Sequence, residues 1–261
     1  MTEQRAALVR MEVERGAARI VLDSPRNRNA LSARLRTELA ARLREAAADP
    51  GVRAVVLTGA GPAFCSGMDL SEVEAELRGE SPDPSAPTLP ELIEQVMDCP
   101  VPVVVLLNGP VRAGGVGLVA AADIAIAPDT VTFAFTEVRI GVVPAIISVP
   151  VAARMHDRQL SRYLLTGETF GAAEAAAAGL LTAAVPAEAV DAAVEGVLDG
   201  LRLAAPRAAA RTKELLRELR GMDRTAALHL AERISAEFFA SDDAAEGRAA
   251  FFGRRPPRWA V

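Results

Sequence analysis

Three features of this 261-residue chain predict an α/β fold of repeated strand–strand–helix units with a helical C-terminal part. Short apolar runs alternate with helix-period patterns, the signature of layered α/β architecture. Two of those runs lead through glycine-bearing turns into helix-like stretches. From about residue 157 onward the pattern is almost all helical.

In chain order, residues 7–13 and 17–23 form a hairpin around Arg15-Gly16. Ser32 opens an amphipathic helix to about Ala48, with Leu35, Leu39, Leu43 and Ala47 at helical spacing. Residues 53–58 make an apolar strand, followed by the turn Ala63-Phe-Cys-Ser-Gly-Met-Asp-Leu70. Residues 79–87 have a linker's composition but read as a surface loop. The strand at 101–107 leads to the second turn, Ala113-Gly-Gly-Val-Gly117, a short helix, and another strand at 123–127. Long helical segments follow near 187–203, 206–220 and 223–240. The division expected is a core over 1–185 and a helical region over 186–261 that serves oligomerisation.

Composition excludes several classes. A net charge of −5 argues against broad binding to a phosphate backbone, which needs a basic face. The one basic cluster, Arg254, Arg255 and Arg258, is expected to meet a small anion or solvent. Cys65 and Cys99 are too few for a disulfide framework and read as reduced, buried thiols. Neither cysteine stands at metal-ligand spacing from His156 or His229, so no metal site is expected. The start Met-Thr-Glu-Gln-Arg lacks a signal-peptide profile, and no apolar run reaches about 18 residues, so neither membrane nor secretion is expected and the cytoplasm is the default.

The two glycine turns carry the chemistry. A strand-to-helix turn leaves backbone N–H groups unpartnered, and glycine lets another group approach them. Two such turns face to face can place two donors on one oxygen, which is how an oxyanion hole for a thioester enolate is made. Gly115-Val-Gly-Leu-Val-Ala120 also fits the dinucleotide fingerprint, but the helix after it is too short and its surroundings are wrong. Ser66 lacks a nucleophile elbow and a nearby base, which argues against a serine hydrolase.

Taken together, Asn29-Ala-Leu-Ser32, the 63–70 turn, Asn108-Gly109 through Asp123, and Phe135-Thr-Glu-Val-Arg-Ile-Gly141 with Pro144 resemble the crotonase (enoyl-CoA hydratase/isomerase) superfamily. Leu165-Thr-Gly167 with Phe170, Ala176 through Leu180, and Ser241 through Arg254 extend the likeness nearly end to end. The resemblance implies a crotonase-type spiral of ββα units. It implies hole donors at the N–H groups of Met68 and Gly114, with Glu137 as the acid/base. It also implies a coenzyme A site at Arg26, Asn27, Arg28, Ala30, Ser66, Gly67, Asp69 and Leu70. Phe251 and Arg254 match positions that reach a neighbouring subunit's CoA, implying a homotrimer or dimer of trimers.

The second family glutamate falls at Gly117 and is missing. Branches with Gly-Val-Gly-Leu and a segment like Pro144-Ala-Ile-Ile-Ser148 resemble methylglutaconyl-CoA hydratases. The favoured reaction is reversible hydration of a 2-enoyl-CoA, with Δ3,Δ2-enoyl-CoA isomerisation and non-catalytic acyl-CoA binding as alternatives. No cofactor is expected beyond the CoA of the substrate. Gly117, three residues from Gly114, is expected on the pocket side of its helix, where a glutamate in its place leaves folding intact.

Overall fold

The structure, a computed structural model, describes residues 6–80 and 83–261. Strands β1 (Val9–Glu14) and β2 (Ala17–Leu22) form an antiparallel hairpin. Arg15 and Gly16 turn it at φ 46° and 74°, the positive pair a tight two-residue hairpin turn requires. Helix α1 (Ala33–Ala48) starts where Ser32 Oγ accepts the Leu35 N–H, and it buries Leu35, Leu39 and Leu43 at the predicted spacing. Strand β3 (Ala54–Gly59) then runs parallel to β2.

Helices α2 (Leu70–Leu77) and α3 (Leu89–Asp98) flank the stretch 79–87 read as a loop, of which residues 81 and 82 lie outside the described residues. Its far end is tied down, because the buried Arg36 donates through Nε to the Pro87 carbonyl at 2.7 Å. Thr88 and Glu91 start α3 with a reciprocal capping box. Strands β4 (Val103–Leu106) and β5 (Val111–Arg112) lead to α4 (Gly114–Ala121), and β6 (Ile124–Pro128) and β7 (Thr132–Ala134) follow. A 3-10 turn spans Thr136–Ile140 ahead of α5 (Ala145–Ala152) and α6 (Asp157–Thr166).

Beyond residue 157 the chain is mostly helical, as expected, but two short strands within the core region were not read from the sequence. Strand β8 (Phe170–Gly171), α7 (Ala172–Ala177) and strand β9 (Ala183–Val185) come first. β9 completes the main sheet beside β6, with Ile126 opposite Ala183. A three-residue run of small side chains has no readable period, so its strand state comes from its neighbour rather than from propensity. Helices α8 (Val190–Leu203), α9 (Pro206–Glu218), α10 (Arg224–Phe239) and α11 (Asp242–Phe252) close the chain.

The main sheet has six strands in the order β1-β2-β3-β4-β6-β9, parallel throughout except for the hairpin. Parallel strands covered on both faces read as unbroken apolar runs, and β3 and β4 are of that kind. Val55, Leu57, Val103 and Val105 point into the large core with α1, whereas Val56, Val104, Leu106 and Ile126 face Val194 and Leu198 of α8. A second sheet, β5-β7-β8, stands apart from the first and carries the site.

Candidate active site

Cys65 forms a parallel bridge with Val111, and β5 pairs in parallel with β7, Val111 against Phe133 and Arg112 against Ala134. These segments therefore end at one edge, and whatever follows each is gathered there. Gly67 and Met68 follow the first, Gly114 the second and Glu137 the third. The Arg112 N–H donates to the Cys65 carbonyl at 2.9 Å, and the Ala113 N–H to the Ala134 carbonyl at 3.1 Å, which locks the three ends in step.

The two turns abut. Gly67 has φ +93°, and a Cβ on it would lie 2.8 Å from Ala113 Cβ and 3.3 Å from the Gly114 nitrogen. No side chain fits between the turns. The Gly67 carbonyl is taken by the Leu31 N–H at 2.8 Å, while the Met68 and Gly114 amides donate to no acceptor among the described residues. Ala113, the residue before α4, is held at φ 48° and ψ −124°, a conformation that non-glycine residues rarely adopt. Strain of this sort persists only where surrounding contacts impose it, and here the Ala113 N–H is held by the Ala134 carbonyl at the start of α4.

Glu137 sits in the first turn of the 3-10 segment, half-buried, and its Oε2 is buried without a hydrogen-bond partner. Desolvation pushes its carboxyl above the usual range. Pairing with Arg139 does not occur, because Arg139 Nε turns to the Thr166 carbonyl at 3.3 Å. A carboxyl with a raised pKa and an open oxygen is suited to accept and return a proton.

The predicted CoA residues of the two early loops are brought together. Ser66 N–H donates to the Arg28 carbonyl and Ser66 Oγ to the Asn27 carbonyl, both at 3.1 Å. Asn27 Nδ2 donates to Asp69 Oδ2 at 3.3 Å, and Asp69 caps α2 through Ser71. Ala30 is buried beneath, and Leu70 is exposed. The Arg26 and Arg28 side chains project from the 3-10 turn Pro25–Asn27 into solvent. Phe251 and Arg254 are not part of this cluster; they end α11, exposed, with Phe251 edge-on to Phe252 at 5.6 Å.

One expectation is overturned and another is narrowed. Gly117 does not offer space: a Cβ there would lie 2.7 Å from Ile147 Cγ2 and 3.2 Å from Ile93 Cδ1. α4 is buried on every side, so the shared face with Gly114 is filled by apolar packing rather than open to a ligand. The basic cluster is not available to an anion as a group. Arg255 grips Glu246 with both terminal nitrogens at 2.7 and 3.0 Å, the Arg258 N–H donates to the same carboxylate at 2.9 Å, and only Arg254 stays free of it.

Cys65 and Cys99 are free and buried; burial pushes the Cys65 thiol up to about 12, leaving it no thiolate character. His156, the residue that precedes α6, and His229 on α10 are both exposed.

Sequence reasoning missed the braces. Buried Asn29, at φ 56°, accepts the Ser24 N–H through Oδ1 at 2.8 Å and donates to the Ala60 and Ala63 carbonyls at 3.0 and 2.9 Å. Asn108 Nδ2 adds a bond to the Gly61 carbonyl at 2.9 Å. Two asparagines each followed by a small residue were the available signal, since short amides satisfy tight-turn carbonyls. Leu31 and Leu89, in van der Waals reach of Gly114, supply an apolar wall that only long-range packing reveals.

A parallel sheet with two abutting turns, and a desolvated carboxyl following the strand paired to one of them, is the arrangement of the crotonase class of fold. The Enoyl-CoA hydratase/isomerase family profile matches residues 12–261, and the chain belongs to that family. A Thermus thermophilus protein named as a candidate enoyl-CoA hydratase is 38% identical over 253 residues, 95% of this chain and 100% of its own length. A hydroxycinnamoyl-CoA hydratase-lyase of Pseudomonas fluorescens is 34% identical over 194 residues, 70% of this chain and 68% of its own. The crystal structure of an enoyl-CoA hydratase/isomerase from Marinobacter aquaeolei superposes with a TM-score of 0.89 at 30% identity, covering 98% of this chain and 100% of that one. Among the described residues, no helix is long and apolar enough to cross a membrane.

Proposed function

We propose that this protein catalyses reversible hydration of a 2-enoyl-CoA. The thioester oxygen sits between the Met68 and Gly114 N–H groups, and Glu137 moves the proton. The observation that supports the reading is the abutment of the Gly67 and Gly114 turns, whose Met68 and Gly114 amides have no acceptor among the described residues. Hydrogen-bond donors fixed in advance stabilise the enolate without reorganisation at the moment of reaction. Glu137, raised by desolvation, activates the water that adds at C3 and returns a proton to C2. The CoA nucleotide lies along Arg26, Asn27 and Arg28 and the pantetheine along Ser66–Leu70, no further cofactor takes part, and the reaction runs in the cytoplasm. Phe251 and Arg254, exposed at the end of α11, complete a neighbouring copy's site in a homotrimer or dimer of trimers.

Isomerisation of a Δ3-enoyl-CoA is the second reading, and Gly117 favours it. With Ile147 packed where a second carboxylate would stand, one acid remains, which suffices to carry a proton between C4 and C2. The deciding experiment incubates the protein with enoyl-CoAs of varied length and branching and weighs the products. A gain of one water supports hydration. Unchanged mass with a moved double bond assigns the isomerase. Binding without product leaves an acyl-CoA binding protein.

A further inference from the structure

A cavity of about 390 Å³ opens between the C-terminal ends of α4 and α5 and one face of α9. Arg154, Lys213, Arg217 and Arg220 line it, against one carboxylate, Asp123. Three of these cations are held by backbone carbonyls. Arg154 donates through Nε to Ala120 at 3.1 Å and through Nη2 to Ala122 at 2.7 Å. Lys213, the only lysine of the chain, donates to the Val96 carbonyl at 3.3 Å and pairs with Asp123 at 2.7 Å. Arg217 donates to the Met97 carbonyl and pairs with Asp98 at 2.7 Å.

Carbonyls fix the positions of these groups but do not neutralise them. Asp123 balances Lys213 and Asp98 balances Arg217. Neither Arg154 nor Arg220 has a carboxylate within salt-bridge distance among the described residues; burial and the nearby Arg220 disfavour the charge on Arg154, and Asp123, already paired with Lys213, offsets this only in part. Like charges set in a concave, partly desolvated site raise the free energy of the empty cavity and lower it when an anion enters. The surplus is two positive charges. Arginine carries five N–H donors, of which Arg154 commits two to carbonyls, so donors remain for oxygen acceptors.

We propose that this cavity binds a small dianionic oxyanion, a phosphate group held between Arg154 and Arg220. At about 30 Å³ per water the space takes roughly a dozen waters, enough for a phosphate with an attached organic group. The site is distinct from the proposed acyl-CoA site, because it lies at the C-terminal end of α4 and the Gly114 amide at the N-terminal end. Seven residues at about 1.5 Å each separate them by roughly 10 Å.

The test is calorimetric titration of the full chain, and its thermal midpoint, with inorganic phosphate and with glycerol 3-phosphate against chloride at equal ionic strength. Saturable binding of one phosphate per chain is expected. Arg220→Gln, at an exposed position, should weaken it about tenfold, the size of one charge-assisted hydrogen bond. Tighter binding of glycerol 3-phosphate assigns an ester as the occupant, and equal affinity assigns the free ion. Arg154→Gln, with folding verified by circular dichroism, should abolish binding. A chloride response equal to that of phosphate, or one affinity shared by wild type and Arg220→Gln, overturns the proposal.

Discussion

Replacing Gly117 by glutamate restores, on paper, the second carboxylate of two-acid hydratases, and the structure says the chain will not accept it. The new Cβ would lie 2.7 Å from Ile147 Cγ2 and 3.2 Å from Ile147 Cβ, and Ile147 is itself 2% exposed on α5. The clash is with a branch next to the Ile147 backbone, so α5 must move or Ile147 must leave its rotamer. Overpacking of this kind costs about 1–3 kcal/mol. The same Cβ would lie 3.2 Å from Ile93 Cδ1, so the side chain enters apolar packing, and a buried carboxyl left unpaired there adds about 1–3 kcal/mol. Leaving glycine behind in a helix returns only about 0.5–1 kcal/mol. The net loss is therefore at least about 1 kcal/mol, and for a chain of this length each kcal/mol lowers Tm by about 2–4 °C. Scanning calorimetry of Gly117→Glu, alone and with Ile147→Ala, measures it. The single variant should melt earlier and the double variant should recover part of the difference. A single variant that melts with the wild type would show that α4 and α5 do not pack as described.

The other expectations concern the gap, the base, the tail and the assembly. Glu137→Gln should lower kcat by about 10²–10⁴ while leaving acyl-CoA affinity nearly unchanged, as loss of a general acid/base does. Because its folded pKa is raised, burying Glu137 favours the fold only below the ordinary carboxyl value and disfavours it once pH rises through the folded pKa. The same variant should therefore match or exceed the wild-type Tm at pH 7 and lose that advantage near pH 4; kcat/KM of the wild type should show one carboxyl titration on its acid limb. Gly67→Ala fills the space between the turns against Ala113 and the Gly114 nitrogen at a φ of +93°, and turnover should fall at least about 10²-fold, read by initial rates. Glu246 is held down to about 2 by Arg255, so its contribution is present above the ordinary 4.5 and is lost as pH falls through about 2. Glu246→Gln should loosen the tail at neutral pH. The single tryptophan, Trp259, reports this by a red shift, since its indole N–H donates to the Leu203 carbonyl beside α11. Light scattering at micromolar concentration should find a trimer or hexamer; a fully active monomer would remove Phe251 and Arg254 from any neighbour's site.

By itself the sequence determined the local elements: the hairpin at Arg15-Gly16, the Ser32 cap with its leucine stripe, the buried parallel strands and the glycine turns. These follow from φ preferences, capping and hydrophobic period, all of which act within a few residues. Glu137, Met68 and Gly114 were legible only as family positions and as free amides after strands. Their gathering was decided by tertiary pairing, because Cys65 against Val111 and Arg112 against Ala134 put three chain-distant ends on one edge. The same holds for the errors. Gly117 shared a helix face with Gly114, yet Ile147 and Ile93, contributed by α5 and α3, decided that the face is closed. Arg254, Arg255 and Arg258 were read as meeting a small anion or solvent; they are exposed, and only the structure showed that Glu246, on the preceding helix, also pairs with Arg255 and Arg258. Strand β9 was invisible because three small residues carry no period, and only the open edge of β6 made them a strand. A short-range code states what each residue can do; which groups meet depends on contacts between segments far apart in sequence, and those are set when the whole chain packs.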